Sequence, residues 1–165
     1  MEFALVAPLM LSVAMGLIEI GRFALLTMKV QHASSTLADL ASRDQTLSAT
    51  ALSDLFNAAR HIMEPFDVAS SGRAIVTSFG IPLGQQSARI YWQSSGVGTY
   101  AAGSGIGQTG SPTMPADLIL REGDTVIAAE MFFHYEPWLL GFVPETTLRR
   151  VAYFRPRLGT LTALQ

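Results

Sequence analysis

The chain opens with MEFALVAPLMLSVAMGLIEIGRFALL, and from Phe3 to Ile18 that stretch carries no charged side chain. Coiled as a helix at about 1.5 Å per residue, Phe3–Ile18 covers roughly 24 Å. A bilayer core of about 30 Å wants around 20 apolar residues, so the run is long enough only when it continues through Glu19 and Arg22 to Leu26. Those two charges stand at i and i+3 on one helix face, where pairing is geometrically available. A helix that is apolar all round has to be buried in something. At the chain terminus no domain surrounds it, so a bilayer or a bundle of like helices is expected rather than a soluble core. A cleaved secretory signal would need a basic n-region, and Met1-Glu2 does not supply one.

Small residues recur along this helix at Ala4, Pro8, Ser12 and Gly16, a spacing that lets membrane helices approach closely. Two words are more specific: E-F-A-L-V-A-P over Glu2–Pro8 and G-L-I-E-I-G-R over Gly16–Arg22. Together they resemble the N-terminal signature of the TadE-like family, the minor pilins or pseudopilins of the tight-adherence class of type IV pili. In that family a carboxylate opens an apolar helix that goes on to carry G-x-x-E-x-G-R. The resemblance implies an assembly surface comprising Glu2, Phe3, Pro8, Ser12, Gly16, Glu19, Gly21 and Arg22, with no catalytic, cofactor or metal residue. It implies as partners other pilins and pseudopilins, the inner-membrane pilus assembly machinery, a prepilin peptidase and the lipid bilayer. Family members carry a basic leader ending in Gly, which the peptidase removes. Only Met1 precedes Glu2 here, so the resemblance implies a leader missing from this sequence.

Beyond the apolar run the helical period continues. Leu26, Val30, Ala33, Leu37, Leu40 and Leu47 follow four- and three-residue spacings with Asp44 off the pattern, leaving Gln31, Ser34, Ser35 and Asp39 outside. That is the seam of an amphipathic helix, either in a coiled coil or against a sheet. A second helix is expected over Ala51–Met63, capped by Ser48 or Thr50 and ended by Glu64-Pro65. From Gly72 the period becomes two. Strands are expected at Arg73–Phe79, Ala88–Gln93, Thr125–Tyr135 and Leu148–Phe154, with Ala88, Ile90 and Trp92 on one face of the second. Four strands with short connections read as an antiparallel sheet. The fold class is therefore α+β, a long N-terminal membrane-competent helix followed by a small pilin-like domain. The boundary falls at residue 28: residues 1–28 form the anchor, and 29–165 the helix continuation plus globular domain.

Candidates for chemistry are few. A net charge of −2 offers nothing to nucleic acid, and the absence of cysteine excludes disulfides and thiolate metal sites. Gly105-Ile106-Gly107-Gln108-Thr109-Gly110 satisfies G-x-G-x-x-G. A dinucleotide site needs that motif straight after a strand and opening a helix, and here prolines follow it. Ser94–Pro115 reads instead as a long flexible loop with room for a subunit contact. His32, His61 and His134 lie on three different expected elements without ligand spacing. Glu130 and Glu136 are expected to be buried against arginines. Arg149, Arg150, Arg155 and Arg157 read as a solvated basic patch.

Two functions remain, and neither is an enzyme. One is a minor pilin, held in the inner membrane with its C-terminal domain extracytoplasmic and incorporated in the pilus. The other is a single-span membrane protein whose outer domain binds a ligand or partner unrelated to pili. Charge alone would place Arg22 and Lys29 in the cytoplasm, so the pilin orientation requires the leader to supply basic charge ahead of the helix.

Overall fold

A 40-residue helix, α1 (Glu2–Ala41), starts the chain and sets the axis on which everything else is hung. In the computed structural model, residues 2–138 and 141–164 are described, with side chains described from residue 6 onward. At 1.5 Å per residue α1 is about 60 Å long, and its two halves live in different surroundings. Val6, Leu9, Met10, Leu11, Val13 and Leu17 stand exposed. It is the one helix among the described residues that is long and apolar enough to cross a membrane. The second half packs as its spacing predicts: Leu26, Val30, Ala33 and Leu37 are fully buried.

The seam departs from expectation at its end. Leu40 is half-buried, and Ala38 and Ala41 are buried in its place. Ser34, expected outside, is buried with its hydroxyl donating to the Gln31 carbonyl at 2.9 Å. The helix stops at Ala41, before the off-pattern Asp44, and Leu47 is buried from beyond the turn, bridging to Leu164.

The second helix, α2 (Ala49–Met63), is capped by Ser48, whose Oγ accepts from the Ala51 amide at 3.1 Å. It buries Leu52, Phe56, Ala59 and Met63 beside α1. Lys29 of α1 donates to the Ile62 carbonyl at 2.8 Å, satisfying one of the acceptors a helix leaves open at its C-terminus. A one-turn helix, α3 (Val68–Ser71), leads into the sheet.

The sheet has four antiparallel strands, β1 (Gly72–Gly80), β2 (Arg89–Gly96), β3 (Thr125–Tyr135) and β4 (Thr146–Phe154), in the order β2-β1-β3-β4. The α+β class and the four-stranded antiparallel sheet are as expected. Ala74 and Val76 of β1 join Ile127, Ala129, Met131, Phe133 and Tyr135 of β3 in the core shared with α1 and α2. Alternate residues Phe79, Val126 and Ala128 face the other way, so the two central strands are buried on both sides.

One register expectation fails for a physical reason. A bulge between Ser78 and Phe79 sets Ser78 opposite Trp92 but Phe79 opposite Ile90. An extra residue reverses the pleat. Trp92 accordingly packs on the helix side of the sheet and Ile90 on the back.

Ile106, Met114, Leu118 and Leu120 cover the back face, so Ser94–Pro115 is a loop as expected over most of its length, but one that packs on the sheet. Ser94–Gly96 belong to β2, and Ile106 is fully buried against Phe79, Val126 and Ala128. The back of two buried strands has to be covered by something apolar, and the loop supplies it. The C-terminal tail returns to the helix. The Leu161 carbonyl accepts from Ser78 Oγ at 2.9 Å and Trp92 Nε1 at 2.8 Å, and Arg157 reaches Asp39 near the end of α1 at 2.7 Å.

Candidate functional site

The G-x-x-E-x-G-R word sits where α1 leaves the open and meets the domain. Gly16 is buried because the Phe142 ring lies over it; a β-carbon built there would stand 3.4 Å from that ring. One turn on, Glu19 is 1% exposed. Its carboxylate accepts from the Tyr135 hydroxyl, in a short contact, and from the Trp138 amide at 3.1 Å. A buried carboxylate is costly unless hydrogen-bonded, and the end of β3 supplies those donors. Burial, then the facing Glu19 carboxylate, push the Tyr135 phenol up to about 12.

Arg22 completes the junction. Its guanidinium lies 5.6 Å from the Phe66 ring centre, 5.7 Å from Tyr135 and 5.4 Å from Trp138. Its Nη1 is buried without a hydrogen-bond partner among the described residues. Three ring faces offer the charge a quadrupole attraction that water would otherwise replace. Gly21 is exposed, with open space where a β-carbon would be, and borders a cleft of about 460 Å³ with Arg22, Leu25, Pro65, Phe66 and Trp138. Phe23 packs edge-on against Tyr135 at 5.1 Å. Residues 1–28, set apart above as the anchor, thus also contribute Glu19, Phe23 and the buried Leu26 to the contact with the domain.

The other predicted assembly residues lie further out. Pro8 is exposed inside the helix, and Ser12 Oγ donates to the Leu9 carbonyl at 2.8 Å. The side chains of Glu2 and Phe3 fall outside the described residues. The structure therefore gathers Gly16, Glu19, Gly21 and Arg22 at one junction and leaves Pro8 and Ser12 on the free half of the helix. Tyr135, Trp138, Phe142 and Phe66 were not singled out from the sequence. They are 47 to 123 residues from Glu19 along the chain, and nothing in one sequence couples them to it.

A second buried carboxylate holds the back of the sheet. Glu130 is fully buried and accepts from Arg149 Nε at 2.9 Å and Nη2 at 2.6 Å, from the Gly105 amide at 2.9 Å, and from Ser104 Oγ. Glu130 faces Val151 across the ladder, so Arg149 is its diagonal neighbour two residues along. This explains the first turn of the G-x-G-x-x-G word. A β-carbon on Gly105 would come within 2.4 Å of Arg149 Nη2, and Gly107 has φ of +111°. The glycines seat a loop on an ion pair rather than a phosphate.

One expectation needs correcting here and another needs refining. Glu136 is exposed, and its contact among the described residues is His134 Nε2 at 3.8 Å, not an arginine. The basic patch is solvent-exposed as expected, but it is not unpaired: Arg149, Arg155 and Arg157 pair with Glu130, Asp124 and Asp39. Only Arg150 of the four remains without an ion pair among the described residues. No group of three or more His, Cys, Asp or Glu able to hold a metal ion occurs among the described residues.

Residues 1–39 match the family model described as TadE-like protein. The match covers about a quarter of the chain, so the likeness is to the family's N-terminal segment. The matched TadE-like residues end within α1, so they comprise the free half of the helix, the Glu19 and Arg22 junction and most of the packed half, and none of the sheet. The resemblance read from Glu2–Pro8 and Gly16–Arg22 is borne out. The match bears on the N-terminal helix, which by length and composition is also able to cross a membrane. No curated protein and no solved structure matches the chain.

Proposed function

We propose that this chain is a minor pilin, or pseudopilin, a structural subunit in assembly of a tight-adherence pilus. The observation that carries this reading is the coincidence of the TadE-like match with the exposed apolar half of α1, which the chain's own domain leaves uncovered. Before assembly that half-helix sits in the inner membrane with the domain outside. On assembly it exchanges lipid for the helices of other pilins and pseudopilins. A prepilin peptidase processes the leader, and the inner-membrane machinery drives the exchange.

Glu2 is the residue on which selection of partners turns. A carboxylate near a bilayer centre costs about 2.5–3.5 kcal/mol and less at the interface, so it needs a partner. The nearest side-chain cation along the helix is Arg22, about 30 Å away at the helical rise and engaged by aromatic rings. By resemblance to type IV pilins, that partner is the free N-terminal amine of a neighbouring subunit. In a helix bundle of low dielectric that pair favours one axial register.

The test is Glu2→Ala and Glu2→Gln in the chain expressed behind a prepilin leader, with insertion and co-purification with other pilins scored separately. Insertion should survive and association should fall sharply. Unchanged association would reduce Glu2 to an interfacial charge. A C-terminal reporter active only in the cytoplasm would remove the pilin reading altogether.

A further inference from the structure

The connection between β3 and β4 is built unlike the other turns of the domain. Between Pro137 and Pro144 the sequence reads W-L-L-G-F-V, with no charged or hydrogen-bonding side chain except the Trp138 indole, and Glu136 and Glu145 bracket it. Both brackets converge on one histidine: His134 Nε2 is 3.1 Å from Glu145 and 3.8 Å from Glu136. The neck is therefore charged and the tip apolar.

The tip is also aimed. The Trp138 amide is held by Glu19, and Phe142 rests on Gly16, three residues or about 4.5 Å nearer the apolar end of α1. Trp138 is nevertheless 73% exposed and Phe142 51% exposed. Beside them on the helix, Leu17, Ile18 and Ile20 are exposed as well. The described residues leave these apolar side chains uncovered around one level of the helix. A soluble face would place polar groups here, whereas aromatic side chains beside an apolar span are the signature of a membrane–water interface.

We infer that Trp138 and Phe142, which flank the tip of the β3–β4 connection, sit in the headgroup-to-acyl boundary of a bilayer beside α1, with Glu136, Glu145 and His134 at the water line. The inference rests on the membrane-held reading above and adds a second, reversible contact to it. The domain is seated on the bilayer instead of swinging from the helix, and Trp138 shields Arg22 at a depth where exposing a cation to lipid is costly. Release of this contact accompanies withdrawal of the helix, because Phe142 lies on it.

Full-length protein in phosphatidylcholine vesicles tests this through fluorescence quenching by lipids brominated at defined depths. The Trp92→Phe chain isolates Trp138, and if it folds poorly the difference between the natural chain and Trp138→Phe reports the same signal. Trp138 should lose emission most to bromines near the carbonyl end of the acyl chain. A Leu11→Trp probe, in a chain lacking the other two tryptophans, should lose most to deeper bromines, since Leu11 lies about 16 Å along the helix from Arg22. Quenching of the Leu11→Trp probe without quenching of Trp138 overturns the seating and leaves the anchor intact. No quenching of either overturns both. Trp138 shielded only as protein density in the vesicle rises assigns the surface to another subunit and overturns the lipid contact.

Discussion

Replacing Glu19 by alanine strips acceptors from two donors that the domain holds at the helix. The Tyr135 hydroxyl is buried and would be left unpaired, and the Trp138 amide is partly buried. An unsatisfied buried donor costs about 1–3 kcal/mol; the amide, which water can reach, belongs at the low end. Together they predict a loss of about 2–4 kcal/mol, or a fall in Tm of roughly 5–15 °C for a chain of this size. Glu19→Gln keeps an acceptor oxygen and should cost about half as much. The assay is chemical or thermal unfolding in detergent micelles, followed by near-ultraviolet dichroism. A double-mutant cycle with Tyr135→Phe isolates the bond itself. A hydrogen bond to a charged group predicts a coupling of about 1.5–3 kcal/mol. Additive single variants would show that the Glu19–Tyr135 bond does not form in solution, and would refute the account of the junction.

Three further outcomes follow from the same structure. Tyr135 is raised to about 12 while an unfolded tyrosine titrates near ~10; the junction's stability should be whole below about pH 10 and lost as the pH rises through 12, and Tyr135→Phe should abolish that alkaline limb. Arg149→Met leaves the fully buried Glu130 uncompensated and should cost about 3 kcal/mol by urea unfolding, the low end for a broken buried pair because Arg149 is 40% exposed. It should also open residues 97–124 to limited proteolysis. Deleting residues up to 15 should leave a cooperatively folding domain, whereas deleting through Met28 also removes Glu19, Phe23 and the fully buried Leu26 and should cost at least about 3 kcal/mol more, read as the difference between the two melting temperatures.

Much of the architecture was legible because it is periodic. The spacing of Leu26, Val30, Ala33 and Leu37 needs only a helix to put them on one face, and β3 begins and ends where its alternation of β formers does. The apolar run was legible for the same reason, since its composition alone decides that water is the wrong surroundings. The junction was not. Glu19 was visible as a charge in an apolar helix, but its donors come from Tyr135 and Trp138, which approach only when β3 lies along α1. The Ser94–Pro115 segment was read as a flexible loop because its glycine word opens no helix and prolines stand where that helix would run. What orders it is the Glu130 carboxylate on another element and a back face that must be covered. The Ile90 side chain changed face for a similar reason, since a bulge is a property of a strand pair.

What this sequence determined by itself is therefore its N-terminal helix, its class, and the TadE-like words that name the helix. Each depends on neighbours within a few residues, which a linear chain displays directly. Tertiary structure alone decided that Glu19 and Arg22 serve as a joint between helix and domain, that a glycine-rich word seats on an ion pair, and that Arg149, Arg155 and Arg157 are paired. Those depend on which distant groups share a low-dielectric space, where a charge must find its partner or pay desolvation, and that is set only once the sheet has closed on the helix.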